Sequence, residues 1–138
     1  AYLSGAYLSG ADTPSSPLWP IRLDFWAVLD AAPAEVPGVR AALTEGRVDG
    51  STYNGGDCAC LVGTIAKVRN VDIDTLNIPK DSSRPAEQWF MPINPGDTPI
   101  DDPAAAESEG VFRATLAVKW IDAWTESRRA IAEALTAG

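Results

Sequence analysis

A regular stripe of large apolar residues near the C-terminal end constrains the fold more than any other feature of this chain. It repeats at helical spacing between Val111 and Leu135, and its members are Phe112, Leu116, Trp120, Trp124, Ile131 and Leu135. The other side of the segment carries the polar residues Asp122, Glu126, Arg128, Arg129 and Glu133. At about 1.5 Å per residue, a helix of this length exceeds roughly 30 Å. The pattern therefore predicts one long helix that spans a small domain.

Two shorter helices are predicted near the start of the domain. Asp24 is expected to cap a short helix that runs to Ala32, because Pro33 cannot continue it. Pro37 suits the first turn of the next helix, and Gly46 suits its C-terminal stop. The Asp-Gly and Asn-Gly pairs of segment 47–56 then predict a loop or a short hairpin.

Two more helices are predicted in the middle of the chain. The first begins at its cap Asp57 and ends with basic residues near Arg69. The second covers Pro85 to Met91 and is expected to be capped by Ser82 or Ser83. Repeated prolines then predict an irregular acidic loop through Pro103. The fold class expected from the whole pattern is mostly α, as one small helical domain with a long C-terminal helix.

The charge of the chain limits its possible partners. The 138 residues carry a formal net charge of −8, so direct binding to nucleic acid or to an anionic membrane is not expected. Apolar runs are too short for the roughly 20 residues that cross a bilayer, and no signal peptide is visible. These features predict a soluble, cytoplasmic protein that binds another protein or itself, while a small-molecule ligand stays possible.

The residue types do not point to catalysis or to a cofactor. The chain has no His, and its two cysteines, Cys58 and Cys60, are two positions apart and are expected to be reduced. A redox or metal-binding pair is the alternative for these thiols. A second metal hypothesis concerns the acidic loop, although a solvated loop is favoured there; its carboxylates are Asp97, Asp101, Asp102, Glu107 and Glu109. We therefore expect no enzyme activity, no metal and no cofactor.

The N-terminal twelve residues form a short internal repeat. The unit AYLSG occurs twice and is followed by Ala11-Asp12. This pattern resembles the pentapeptide-repeat family, and the resemblance implies a right-handed four-sided β-helix with Leu3 and Leu8 inside. Two units cannot bury a core alone, so an extended N-terminal arm is the alternative. The expected organisation is a repeat stub over 1–12, a linker over 13–20 and the compact domain over 21–138.

Three later segments extend this resemblance. The sequences DGSTYNGGDCACLVGTIAKVR, SRPAEQWFMPINPGDTP and LAVKWIDAW look like a domain that often follows pentapeptide repeats in proteins of bacteria and their phages. The resemblance implies a C-terminal module of a pentapeptide-repeat protein, and it assigns no reaction to that module.

One group of residues suggests a ligand pocket. Arginine beside aromatic rings can clamp an anion or stack on a base, so a nucleotide signal is a candidate ligand. The residues proposed for it are Arg84, Trp89, Phe90, Asn94, Asp97, Thr98 and Arg113. The alternative is structural, with Arg84 paired to Asp97 and the two aromatic side chains in the core.

A second group suggests a protein interface. Trp120 and Trp124 lie one helical turn apart and could anchor a partner or a symmetric dimer, with core packing as the alternative. The leading functional hypothesis is therefore a non-enzymatic interaction module that binds another protein or itself, and the second is a small-ligand binder.

Overall fold

The computed structural model describes residues 16–50, 60–72, 75–78, 81 and 83–137, which are mostly helical. Five α-helices lie in these ranges, and α5 is much the longest. They are α1 Trp19–Ala31, α2 Val36–Thr44, α3 Cys60–Arg69, α4 Pro85–Phe90 and α5 Glu109–Ala137. Single 3-10 turns at Pro33–Glu35 and Pro103–Ala105 precede α2 and α5. The predicted mostly α class and the long C-terminal helix are confirmed.

Helix α1 begins earlier than predicted. It starts at Trp19, inside the expected linker, and Pro20 occupies its first turn. A proline is tolerated there because the first N–H groups of a helix have no intrahelical acceptor. Ser16 supports the entry, since its hydroxyl accepts the N–H of Leu18. The predicted cap, Asp24, instead lies in the middle of α1, so that assignment is wrong.

Helix α2 ends as its sequence predicts. Gly46 has φ of 69°, the left-handed conformation that favours glycine. The N–H of Gly46 bonds to Leu43 O, and the N–H of Arg47 bonds to Ala42 O at 2.8 Å. These two bonds form a Schellman motif, which satisfies carbonyls that the helix end leaves free.

The core is built around aromatic side chains from three helices, α1, α4 and α5. Phe25 of α1 packs edge-on against Phe90 of α4 and Trp120 of α5, with centroid separations of 5.5 and 6.4 Å. Trp89 lies 5.0 Å from Trp120 and 6.1 Å from Phe112. Helix α5 contributes to all of these contacts except the first, so α1 and α4 both pack against it.

Two carboxylates cap helices that are distant in sequence. Asp24 of α1 accepts the N–H of Ala86 at 2.9 Å, at the start of α4. Glu87 of α4 is fully buried and accepts the N–H groups of Leu61 and Val62, at 2.7 and 3.1 Å, at the start of α3. Acceptors at these positions satisfy donors that have no partner within the helix.

These caps correct the prediction for α4. The serine hydroxyl at 83 bonds to the Asp81 carboxylate, while the N-cap residue of α4 is Arg84 and its side chain makes no capping bond. The other predicted cap residues, Asp57 and Ser82, lie outside the described residues. The same holds for Cys58, for segment 51–59 and for the repeat stub over 1–12.

The loop between α4 and α5 is fastened at several points. The N–H of Gly96 bonds to Gly46 O at 2.8 Å, which joins the loop to the end of α2. The N–H of Ile100 bonds to the hydroxyl of Thr115 on α5. Ser108 then accepts the N–H of Val111 in the first turn of α5. This long irregular segment is thus an ordered part of the domain surface.

A candidate interaction surface on α1 and α5

The aromatic residues of the predicted pocket are core residues. Trp89 is 4% exposed and Phe90 is fully buried. The Arg113 guanidinium lies 4.6 Å from the centroid of the Trp89 ring, and it forms an ion pair with Glu109 at 2.7 Å. The structure therefore brings Trp89 and Arg113 together, but the ring packs against Trp120 and Phe112.

The other residues of the predicted pocket belong to separate contacts. Arg84 pairs with Asp24 through two hydrogen bonds of 2.8 and 3.0 Å, so the expected pair with Asp97 is wrong. Asp97 accepts the N–H of Asn94 at 2.8 Å within the loop turn. Thr98 is exposed on the same loop, and its methyl group is 3.2 Å from where a Cβ on Gly46 would lie. A nucleotide pocket stays a prediction from the sequence.

Three of the five carboxylates proposed for the acidic loop make contacts within the fold. Asp102 accepts the N–H of Ala104, Asp97 that of Asn94, and Glu109 pairs with Arg113. Among the described residues, no group of three Asp, Glu or Cys side chains is arranged to hold a metal ion. Within the same ranges, no helix has both the length and the apolar character that crossing a membrane requires.

The two predicted interface tryptophans are buried within the chain. Trp120 is 1% exposed and Trp124 is 6% exposed. The indole N–H of Trp124 bonds to Asp30 at 2.8 Å, near the end of α1. The indole N–H of Trp120 has no hydrogen-bond acceptor among the described residues. Within this chain, both indole rings are packed between α5 and the neighbouring helices.

Arginine and tryptophan side chains alternate along the outer part of α1. The Arg22 guanidinium lies 4.9 Å from the ring centroid of Trp19 and 4.6 Å from that of Trp26, so both aromatic rings are stacked on one cation. Trp26 also donates its indole N–H to Trp120 O at 3.1 Å, which ties this stack to α5. Leu23 on the same helix is 50% exposed.

Arg128 extends the stack onto α5. Its guanidinium lies 5.2 Å from the Trp124 ring centroid and 5.9 Å from that of Trp26, and it forms an ion pair with Asp30. Burial of the Asp30 carboxyl opposes ionisation, but hydrogen bonds from Arg128 and Trp124 outweigh burial, so the pKa of Asp30 lies below its usual value. This pair fixes the end of α1 against α5.

The apolar stripe of α5 continues past the end of α1. Ile131 is 50% exposed and Leu135 is 79% exposed, although the stripe residues Phe112 to Trp124 are at most 6% exposed. We call residues 125–137 the distal end of α5. Every residue from Arg129 to Thr136 is exposed. The distal end therefore presents the same apolar stripe that packs the core, without a covering helix among the described residues.

These features together form a candidate interaction surface, which consists of Trp19, Leu23, Trp26, Arg128, Ile131 and Leu135. The stripe predicts Ile131 and Leu135 as its members, but it does not show that they are exposed. The stack on α1 is not among the predicted features, and its signal in the sequence is the spacing of Trp19, Arg22 and Trp26 at three and four residues. No family model, curated protein or solved structure matches this chain. The resemblance to pentapeptide-repeat proteins stays a prediction.

Proposed function

We propose that this chain is a non-enzymatic, intracellular protein-interaction module that binds a protein partner through the distal end of α5 and the adjoining face of α1. The observation that carries the proposal is the change in exposure along one stripe, from Trp124 at 6% to Leu135 at 79%. A helix stabilised only by its own domain has no need of large apolar residues where no other helix covers them.

The surface has the residue types that dominate protein interfaces. Tryptophan and arginine are enriched among the residues that contribute most to binding, and here Trp19, Trp26 and Arg128 lie on the same two helices as the exposed Leu23, Ile131 and Leu135. Arg128 is already stacked on the Trp124 ring, which reduces the side-chain entropy that binding would cost. Such a surface is preorganised for contact with another protein.

To test the proposal, we would measure the size of the complex that the chain forms in a fresh extract of its source cells. The tagged chain is compared with the variant Ile131→Glu/Leu135→Glu by size-exclusion chromatography. The control is Val71→Glu/Ile100→Glu, which makes the same charge change at two other exposed apolar residues, at 40% and 38%, outside the surface. We expect the original chain and the control to elute above the mass of the tagged monomer, and the distal variant to elute at that mass. Elution of all three as monomers, from extracts that hold the chain at about 500 μM so that a weak contact would still be populated, would refute the proposal.

A further inference from the structure

We propose that the partner is a second copy of this chain, with the distal ends of the two α5 helices packed side by side in antiparallel orientation. This inference rests on the proposed function, because it uses the same exposed stripe. It goes further by specifying what covers the stripe.

The first argument is the spacing of the residues along α5. Seven residues of α5 follow one another at alternating spacings of three and four positions, as they do in helices that pair along a seam. These residues are Ala114, Ala117, Ile121, Trp124, Arg128, Ile131 and Leu135. The first four are at most 6% exposed, whereas Ile131 and Leu135 are exposed. A seam that is already helix-packed in its first half is thus continued at the same spacing into the exposed half, where Arg128, paired with Asp30, precedes Ile131 and Leu135.

The second argument is charge. The whole chain has a net charge of −8, so two copies repel each other over most of their surface. The distal end has two arginines and two glutamates, which sum to zero. Arg129 bonds to both Glu126 and Glu133, and Arg128 bonds to Asp30. Two copies that meet at this end therefore bring together no net charge and no unpaired glutamate.

The third argument is the size of the residues that flank the seam. Those beside it at the distal end are Thr125, Ser127, Ala132 and Ala134. All four are small and uncharged, so a second helix can approach closely without like-charge contacts at the edges of the seam. The charged pairs of Arg129 lie on the opposite side of the helix, where they remain in water.

The antiparallel orientation follows from where the bulk of the domain lies. A parallel pair would place two acidic domains side by side at the same end, whereas an antiparallel pair separates them by the length of the paired segment. Ile131 of each copy then packs against Leu135 of the other, which makes the contact two-fold symmetric.

The contact is small, because the distal end is only about 20 Å long at 1.5 Å per residue. It is below the roughly 800 Å² per partner of tight complexes, so we expect micromolar or weaker association. Light scattering and sedimentation velocity on the purified chain, from about 5 to about 500 μM, cover that range. The mass should rise from 14.6 kDa toward twice that value for the original chain and for Val71→Glu/Ile100→Glu, and stay at 14.6 kDa for Ile131→Glu/Leu135→Glu.

Three results would overturn the inference or its orientation. A chain that is monomeric throughout excludes a second copy, yet a large assembly in the cell extract would still support the proposed function with another partner. A dimer that persists in Ile131→Glu/Leu135→Glu places the contact elsewhere. Orientation is read by mixing Ile131→Cys and Leu135→Cys variants under oxidation: mixed disulfides support the antiparallel pair, and only like-with-like disulfides refute it.

Discussion

The carboxylate of Asp24 and the guanidinium of Arg84 form a two-point salt bridge that joins α1 to α4, with N–O distances of 2.8 and 3.0 Å. The same carboxylate accepts the N–H of Ala86 and so caps α4. Burial opposes its ionisation, but the bonds to Arg84 and Ala86 prevail, so the pKa of Asp24 lies below its usual value. One residue thereby orients and caps a six-residue helix.

The double role of Asp24 predicts a large effect of its removal. Asp24→Ala should lower the free energy of unfolding by about 2–3 kcal/mol, because it removes a cap and leaves Arg84 without its partner. The control is Asp122→Ala, which breaks the exposed pair with Arg40 and should cost less than about 1 kcal/mol. Urea denaturation followed by tryptophan fluorescence measures both. Equal losses in the two variants would show that the α1–α4 bridge has no special importance.

Glu87 predicts a pH dependence of the opposite sign to that of Asp24. Burial raises the pKa of Glu87 above 4.5, against the two backbone bonds and the charge of Arg84 that favour the ionised form. The folded chain therefore holds this proton more tightly than the unfolded chain does. The contribution of Glu87 to stability is complete below pH 4.5 and is lost as pH rises through the folded pKa.

Glu87→Gln should consequently change the slope of stability against pH. In the original chain, Glu87 lowers the free energy of unfolding as pH rises above 4.5, and the glutamine variant lacks this loss. Asp24 and Asp30, whose pKa values are lowered, act in the other direction: their contribution is present above pH 3.8 and is lost on acidification. Denaturation at several pH values measures the difference between the two chains. Parallel curves from pH 4 to 8 would contradict the assignment.

The hydrogen bonds of Trp120 and Trp124 predict which of the two substitutions by Phe destabilises the fold more. The predicted order is the reverse of the order expected from burial alone. Trp124→Phe removes a hydrogen bond to the charged Asp30, worth about 1.5–3 kcal/mol. Trp120→Phe removes an indole N–H without an acceptor among the described residues, so the relief of that donor offsets part of the lost packing. We expect Trp124→Phe to be the more destabilising by about 1 kcal/mol, although Trp120 is the more buried ring. Calorimetric unfolding of both variants decides the order, and a clearly larger loss for Trp120→Phe would contradict it.

Local sequence signals predicted the elements whose ends are determined locally. The stop of α2 at Gly46 and the long stripe of α5 depend on residues within a few positions of each other. The caps of α3 and α4 could not be predicted in this way, because Glu87 and Asp24 lie 26 and 62 residues from the N–H groups that they accept. The start of α1 was missed because Pro20 suits both a linker and a first helical turn.

The candidate surface was only partly predictable for a related reason. A stripe shows which side of a helix is apolar, but it does not show where the covering helices end. Ile131 and Leu135 therefore looked equivalent to Trp120 and Trp124, whereas the structure buries the tryptophans and exposes the aliphatic pair. The residues proposed for the ligand pocket do not form one site, because Arg84 pairs with Asp24, which lies 60 residues earlier on α1.

Site-specific photo-crosslinking at the distal end of α5 tests the central claim most directly. A benzophenone amino acid replaces Leu135 in one chain and Glu133 in another, because both residues are exposed in the same part of the helix but only Leu135 lies on the stripe. In cells that produce the chain, position 135 should give a discrete protein adduct, at twice the chain mass if the partner is a second copy, and position 133 should give none. No adduct at 135, or equal adducts at both positions, would contradict the account.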